Sequence, residues 1–427
     1  MLTTIALTFA VTALLGVPVA FALGLSSLAA VLISSDLPLR MIPERMIAAV
    51  DSFPLLAIPL FMLAGELMDS AGILSRLVEF ARVLVGHVRG GLAHVCVVSE
   101  MILSGVTGTA VGDAAALGSV FLGPMKREYD EEFGAAVVAA AANIGPIIPP
   151  SAAMIVYAYM AGASVSVAGL FLAGVVPGFF IGVGMMAFAY VIARRRGYPV
   201  SRARPRLREI GRRTWQALPI LLMPVVVIGG MVAGAFTATE AAAVAVVYAL
   251  AVGFFVTREL RLRHLWPALV RSATTTSIVV MLIALAASVT FLLTIAQVPT
   301  TVAGFLKSVT ASPAVFLTLV MFFLIVVGMF LESNAAYIML VPIFHPVAIQ
   351  YGIDPLHFGF VFVLNLVIGM LTPPVGVVLF VVASLSGLTM ERLVRGVWPF
   401  VVLQFGVLFL CVYFPGLYMW VPRLFGY

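Results

Sequence analysis

Ile144-Gly145-Pro146-Ile147-Ile148-Pro149-Pro150-Ser151 and Ile368-Gly369-Met370-Leu371-Thr372-Pro373-Pro374-Val375 are the two stretches that decide how this chain folds. In each, a diproline follows an Ile-Gly pair at the same spacing, Gly145 to Pro149 and Gly369 to Pro373, and each interrupts an apolar run long enough to cross a bilayer. Proline removes a backbone donor and clashes with the preceding turn, and glycine weakens the helix further, so a helix opens at such a point. Hydrocarbon offers the freed groups no partner. Unwound main chain at membrane depth persists only inside protein or beside a wet cavity, and a matched pair of breaks in two halves points to a transport site.

Composition sets the surroundings. The chain has 427 residues, 63% hydrophobic and 10% charged, against about a quarter charged in soluble domains. It reads as an all-α polytopic membrane protein in a lipid bilayer, with little soluble mass. The net charge is +6, but nothing in its distribution calls for nucleic acid. Cys96 and Cys411 sit in apolar runs without metal-ligand spacing and read as small buried hydrophobes. The opening MLTTIALTFAVTALLG lacks a basic n-region and a cleavage site, so it reads as a retained membrane helix.

Apolar runs that can span, at about 20 residues each, cover 2 to 34, 46 to 68, 134 to 160, 166 to 193, 217 to 236, 239 to 257, 268 to 296, 357 to 384 and 397 to 420. Two further stretches look like hairpins with short arms: 91 to 125, turning near Thr107-Gly108-Thr109, and 312 to 349, turning near Glu332-Ser333-Asn334. The segment 194 to 213 carries nine Arg and marks its side as cytoplasmic. Counting outward from it, 20 of the 24 Lys and Arg fall on that side, leaving Arg40, Arg45, Lys307 and Arg423 outside. That split requires 91 to 125 to enter and leave by the cytoplasmic side, because Arg89 and Lys126 flank it. By the same parity 312 to 349 is re-entrant from the outer side.

Comparing the halves, every direction is reversed, which describes inverted-topology repeats with two re-entrant helical hairpins and two broken transmembrane helices. The expected parts are a first scaffold helix in 1 to 45, and repeat 1 in 46 to 193. A basic loop with connecting scaffold helices follows in 194 to 267, and repeat 2 in 268 to 427. The N-terminus is expected in the cytoplasm and the C-terminus outside, where Tyr413, Phe414, Tyr418 and Trp420 fit an aromatic belt. Amphipathic pieces at 72 to 88 and 299 to 308 suggest helices lying in the interface.

Around the first hairpin tip runs Ser104-Gly105-Val106-Thr107-Gly108-Thr109-Ala110-Val111-Gly112-Asp113. Hydroxyls and glycine-exposed carbonyls are hard oxygen ligands of the kind Na⁺ needs, and a half-helix N-terminus favours an anion nearby. The plainer reading is that Thr109 or Asp113 N-caps the second arm and the glycines allow close packing. At the second tip, Ser333 or Asn334 can cap, while Glu332 in an apolar hairpin needs a partner. In Phe236-Thr237-Ala238-Thr239-Glu240, Thr239 reads as a cap. Glu66, Asp69 and Asp51 lie near span ends, where solvated carboxylates are ordinary. Glu100 lies deeper, as packing group or relay, and His345 reads as a structural hydrogen-bonder. There is no GxxxxGK[ST], HExxH or GxSxG, and Gly112-Asp113 lacks the rest of an intramembrane protease pattern, so an enzyme is disfavoured.

Seven stretches together resemble the DctM-like large membrane subunit of tripartite ATP-independent periplasmic (TRAP) transporters, in the ion transporter superfamily. They are IPLFMLAGELMDSAGI (58 to 73), GHVRGGLAHV (86 to 95), SGVTGTAVGDAAALG (104 to 118), IGPIIPPS (144 to 151), FTATEAAAVAVVYAL (236 to 250), DPLHFG (354 to 359) and NLVIGMLTPPVG (365 to 376). The family often has Ala-Asp-Ala where this chain has Gly112-Asp113-Ala114. The resemblance implies a Na⁺-driven, elevator-type importer of organic acids in the bacterial inner membrane. Its partners would be a periplasmic substrate-binding protein (P) and a small membrane subunit (Q), the latter expected as a separate polypeptide. It places an inner ion site at Ser104, Thr107, Gly108, Thr109 and the Gly145 to Pro149 loop with Pro146, and Asp113 among the binding residues. The outer site would use Glu332, Ser333, Asn334, Gly369, Thr372, Pro373 and Gly376. Na⁺ itself would contact Thr107, Thr109, Gly145, Gly369 and Thr372. A stand-alone anion symporter or antiporter of the same fold, an ion channel and a scaffolding protein are the competing readings. Dicarboxylates, sialic acids, sugar acids and keto acids all fall within the implied substrate range.

Overall fold

The computed structural model describes residues 1–34, 37–198, 200 and 207–427, and these are helices joined by short turns. Arg202, Arg204 and Arg206, counted within the basic segment, lie outside the described residues. The stretch 2 to 34, expected as one spanning helix, is two: α1 (Leu2–Leu14) and α2 (Val19–Ser34), packed side by side. Gly16 at φ +80° ends the first, and Pro18 cannot continue it. The pair therefore returns the chain to the end at which it started.

The run 46 to 68 is also interrupted. Helix α3 (Met41–Val50) stops at Asp51, a short 3₁₀ turn follows, and α4 (Ala57–Ser70) forms the span, so the membrane-length helix runs Phe53–Ser70. Helix α5 (Ile73–Val85) presents Arg76, Glu79 and Arg82 on one side and buries Ile73, Leu77, Val78 and Ala81 against its neighbours.

Both hairpins are present. Helices α6 (Gly91–Thr107) and α7 (Ala110–Glu128) form the first; Leu92 N donates to the Tyr129 hydroxyl at 3.0 Å, tying the two open ends together. Lys126 pairs with Glu131, and Arg196 donates to Asp130 at 2.7 Å. Tyr198 donates to the same Asp130 oxygen, and these two contacts hold that carboxyl below its ordinary range. Arg392 reaches Glu132 at 2.8 Å. Lys126, Arg196 and Arg392, three of the residues that the charge count placed on one side, thus meet acidic partners at 130 to 132.

The first broken helix is α8 (Glu131–Ala142) and α9 (Ala152–Ala161), followed by α10 (Val167–Arg195), α11 (Leu207–Val232), α12 (Ala238–Ala251) and α13 (Leu262–Ile295). Thr237, not Thr239, caps α12 in a reciprocal box with Glu240; the Thr239 hydroxyl reaches the carbonyl of Phe53 at 3.3 Å instead. Helix α14 (Val298–Val309) leads to the second hairpin, α15 (Pro313–Phe330) and α16 (Ser333–Gln350). Its open ends are joined by Tyr351, which donates to the carbonyl of Thr310 and stacks on Phe316 at 4.4 Å. Helices α17 (Pro355–Gly369) and α18 (Val377–Ser386) form the second broken helix, and α19 (Met390–Tyr413) and α20 (Trp420–Leu424) end the chain. Seven of the described helical stretches are long and apolar enough to cross a membrane.

The second arm of each hairpin packs on the second half of the other broken helix: α7 on α18, and α16 on α9. A Cβ on Gly118 would come within 2.8 Å of Leu385, so the α7–α18 contact is close. Helix α19 packs along α8, and Gln404 bridges them, accepting from Asn143 Nδ2 at 2.7 Å and donating to the carbonyl of Ala140 at 3.2 Å. All three residues are fully buried. A buried amide left without its acceptor costs about 1–3 kcal/mol. Gln404→Leu is therefore expected to lower the thermal unfolding midpoint of the purified protein, and Asn143→Leu in the same chain to recover part of the loss, because the Asn143 amide is then no longer orphaned while the Ala140 carbonyl still is.

Candidate functional site

Thr107 ends α6, Gly108 takes φ +63°, and Thr109 starts α7, so the first tip is only two residues long. The unwound segment opposite it runs from Asn143 to Ser151 and includes a cis Pro149–Pro150 bond. Tip and break touch: a Cβ on Gly108 would lie 2.8 Å from the Pro150 carbonyl oxygen and 3.2 Å from Ala152 N. Ser151 closes the break by donating to the carbonyl of Pro146 at 2.7 Å while accepting from Met154 N, which caps α9.

The second site repeats the arrangement. The break from Met370 to Gly376 contains a cis Pro373–Pro374 bond, and Gly376, at φ +59°, donates its N–H to the carbonyl of Met329 in the last turn of α15 at 3.0 Å. Gly369 lies against Gly328, so closely that a Cβ on Gly369 would be 2.6 Å from the Gly328 Cα. Glu332 itself caps α16, accepting from Asn334 N at 3.0 Å, Ala335 N at 3.3 Å and Asn334 Nδ2 at 2.9 Å. The cap is therefore the carboxylate and not Ser333 or Asn334, and those donors are the partner it needed. Asn334 Oδ1 stays without one.

Oxygen chemistry at both sites is of one kind. The hydroxyls of Ser104, Thr107 and Thr372 donate to the carbonyls of Met101, Leu103 and Ile368 at 3.0, 3.3 and 2.8 Å. With their hydrogens committed, their lone pairs are free to face a cation, as are the carbonyls that the breaks release from helical bonding. Among the described residues no three His, Cys, Asp or Glu gather in a metal-binding group. Such a donor set suits an alkali cation better than a transition metal.

The structure brings Gly108 onto the Pro150–Ala152 turn, Gly145 beside Asp113, and Gly369 and Gly376 onto the end of α15. It does not carry the Glu332 carboxylate into the second break, since that group turns back on its own helix. His345 sits with its ring nitrogens 2.9 Å from the Tyr157 hydroxyl and 2.9 Å from the Ser164 hydroxyl, linking α16 to α9 and the turn beyond it. Gly328 and Met329 were not singled out in the sequence. The signal was available: Gly328 is the one small residue near the end of a helix otherwise built of large apolar side chains.

Glu100 joins the first site from α6. A Cβ on Gly145 would meet Asp113 Oδ2 at 2.0 Å and Glu100 Oε1 at 3.2 Å. Both carboxyls are fully buried, and neither forms an ion pair among the described residues. Two carboxylates that converge on one backbone position repel each other unless a proton or a cation lies between them. A position that needs no side chain, placed between two such groups, is a cradle.

Comparison with known proteins matches this architecture. A family profile described as tripartite ATP-independent periplasmic transporter, DctM component, covers residues 6–417. Named relatives include the sialic acid TRAP transporter large permease SiaM of Vibrio cholerae, 37% identical over 96% of both chains. The C4-dicarboxylate TRAP transporter large permease DctM of Pseudomonas aeruginosa is 38% identical over 95% of this chain and 94% of its own. Among solved structures, the YdaH transporter of Alcanivorax borkumensis superimposes with TM-score 0.66 at 15% identity over 97% of this chain and 98% of its own, a likeness of fold.

The glycine contact of the second site can be tested directly. Overpacking of this kind costs about 1–3 kcal/mol, so Gly369→Ala is expected to lower the thermal unfolding midpoint measurably. Gly229→Ala, where a Cβ meets nothing within 4 Å, is expected to leave it unchanged or raise it slightly.

Two unwound segments, each capped by a hairpin tip, and a match along nearly the whole length lead to one conclusion: this chain belongs to the DctM family of TRAP transporter large permeases, membrane transporters rather than enzymes.

Proposed function

We propose that this chain is the translocating subunit of a Na⁺-coupled, binding-protein-dependent secondary transporter that imports a small organic acid. The observation that carries the reading is the seating of each tip on its break, where lone pairs of Ser104, Thr107 and Thr372 accompany released carbonyls. In this reading Na⁺ binds at Thr107, Thr109 and Gly145 on the inner side and at Gly369 and Thr372 on the outer side. The substrate carboxylate meets the half-helix N-termini at Thr109 and Ser333 between them.

The two units are taken as inverted repeats. Because α7 packs on α18 and α16 on α9, hairpins and broken helices form one interlocked body. That body moves as an elevator against α4, α11, α12 and α13. The substrate class follows from relatives named for sialic acid, C4-dicarboxylate and 2,3-diketo-L-gulonate, all organic acids.

Two partners complete the system, a periplasmic substrate-binding protein and a small membrane subunit. The Oleidesulfovibrio alaskensis DctMQ and Haemophilus influenzae SiaT permeases match this chain over only 65% and 66% of their own length, and their remaining third supports a small-subunit companion. The protein sits in the bacterial inner membrane with its Arg-rich end in the cytoplasm. Since α1 and α2 fold back on each other, the N-terminus shares the outer side with Arg40, in place of the cytoplasmic position expected from a single span.

Reconstitution with binding protein and small subunit gives the test. Uptake of a labelled organic acid is expected to collapse when the inward Na⁺ gradient is removed, and to require the binding protein. Uptake indifferent to Na⁺ rejects the coupling, and uptake without the binding protein supports the stand-alone symporter. Thr372→Ala, by loss of one ion ligand, and Gly145→Val, whose Cβ would meet Asp113 Oδ2 at 2.0 Å and displace the break, are each expected to raise the Na⁺ concentration for half-maximal uptake by about tenfold.

A further inference from the structure

The pair Glu100–Asp113 is the largest electrostatic anomaly among the described residues. Glu100 comes from the middle of α6 and Asp113 from the first turn of α7, on opposite arms of the first hairpin. Both side chains are 0% exposed. The Thr107 hydroxyl, which also reaches the carbonyl of Leu103 at 3.3 Å, and the Thr109 N–H both lie toward Asp113, and Glu100 and Asp113 lie within hydrogen-bonding reach of each other. No arginine, lysine or histidine forms an ion pair with either carboxyl among the described residues. Two buried carboxylates without a counter-ion are among the most destabilising arrangements a protein can hold.

Burial alone does not require this geometry. A Glu in α6 could turn toward any of several neighbouring helices, yet its Oε1 converges with Asp113 Oδ2 on the one backbone position, Gly145, where no Cβ intervenes. The α7 N-terminus, whose first turn carries Asp113, offsets part of its negative charge.

The geometry points to Glu100 and Asp113 as carboxylate ligands of the cation held beside Gly145, joining the hydroxyl ligands of the inner site. Its occupant is a desolvated alkali cation, coordinated by one oxygen from each carboxylate with backbone carbonyls of the break completing the shell. Glu100 is a cation ligand in this assignment, a role the sequence left undecided. The cation holds the two arms of the hairpin and the break together, so its binding tightens the interlocked body from its centre. The inference deepens the Na⁺-coupled reading and rests on it, adding two carboxylates to the inner of the two sites already proposed.

The experiment uses the purified full-length chain and measures thermal unfolding in Na⁺, in K⁺ and in a bulky organic cation, alongside Na⁺-dependent uptake by the reconstituted complex. Glu100→Gln keeps the volume and removes the charge. It is expected to raise the unfolding midpoint in the organic cation, because repulsion is relieved, and to reduce the further rise that Na⁺ produces in the wild type. In uptake it is expected to lower the Hill coefficient for Na⁺ by close to one site and raise the half-saturating Na⁺ concentration about tenfold. Asp113→Asn is the second variant and should act in the same direction.

An unaltered Na⁺-induced stabilisation and Hill coefficient in Glu100→Gln, with the wild type Na⁺-dependent, overturns the site and shows that the pair is neutralised by protons. A wild type that responds to no alkali cation overturns instead the Na⁺-coupled reading, so the two failures are separable. If Glu100→Gln does not fold, Glu100→Ala with added Na⁺ decides by the same midpoint shift.

Discussion

A peptide group that has lost its helical partner must find another within the protein when the surroundings are hydrocarbon, and the two breaks of this chain concentrate that demand at two points. An unsatisfied backbone group in an apolar medium costs several kcal/mol. The chain meets the demand locally and by contact with the hairpins. Ser151 bonds both the carbonyl of Pro146 and the N–H of Met154, and Gly376 passes its N–H to the carbonyl of Met329. The hairpins are therefore more than membrane anchors: each supplies part of the surface that lets a helix stay open. Glycine appears where these surfaces meet, at Gly108 against Pro150 and at Gly369 against Gly328, because any Cβ there would overlap the backbone opposite.

The buried polar groups are not all served alike. Glu332 has its helix N–H groups, and Gln404 has Asn143 and Ala140. Glu100 and Asp113 have no counter-ion among the described residues. Natural proteins depart from local consistency mainly at functional sites, where stability is given up for chemistry. In the proposed mechanism a cation supplies what the protein withholds, and the energy of binding it is available to favour one state of the hairpin over another.

The cross-packing of α7 on α18 and α16 on α9 ties the halves into one body. Tyr157 and His345 make the second of these joints polar, and Gly118 with Leu385 makes the first one close. The inner and outer ion sites of the proposed mechanism are then mechanically linked without sharing a ligand. Long helices such as α13, at 34 residues, lie outside this body and present broad apolar faces, as a membrane-bound frame does.

Much of this was legible in the sequence. Diproline after Ile-Gly, short apolar arms around Thr107-Gly108-Thr109 and Glu332-Ser333-Asn334, and the crowding of arginine on one side are local signals, and each depends on backbone chemistry or hydropathy that a few residues contain. Where the reading went astray, local chemistry allowed two answers. Gly16-Val17-Pro18 could kink one helix or turn back two, and only packing of α2 on α13 settles it. Thr237 and Thr239 are equally good caps by type, and the choice fell to whichever reached Glu240. Ser333 or Asn334 was read as the cap of the second arm, but Glu332 fills that place with its carboxylate and finds there the partner it needed. What the residue order determined by itself was the number of breaks and hairpins and the face that carries positive charge, because those follow from proline, glycine and arginine wherever they stand. Which carboxylates meet, and that Gly145 leaves room between them, was decided only by tertiary structure, since Glu100, Asp113 and Gly145 lie on three separate segments and sequence spacing carries no distance between segments.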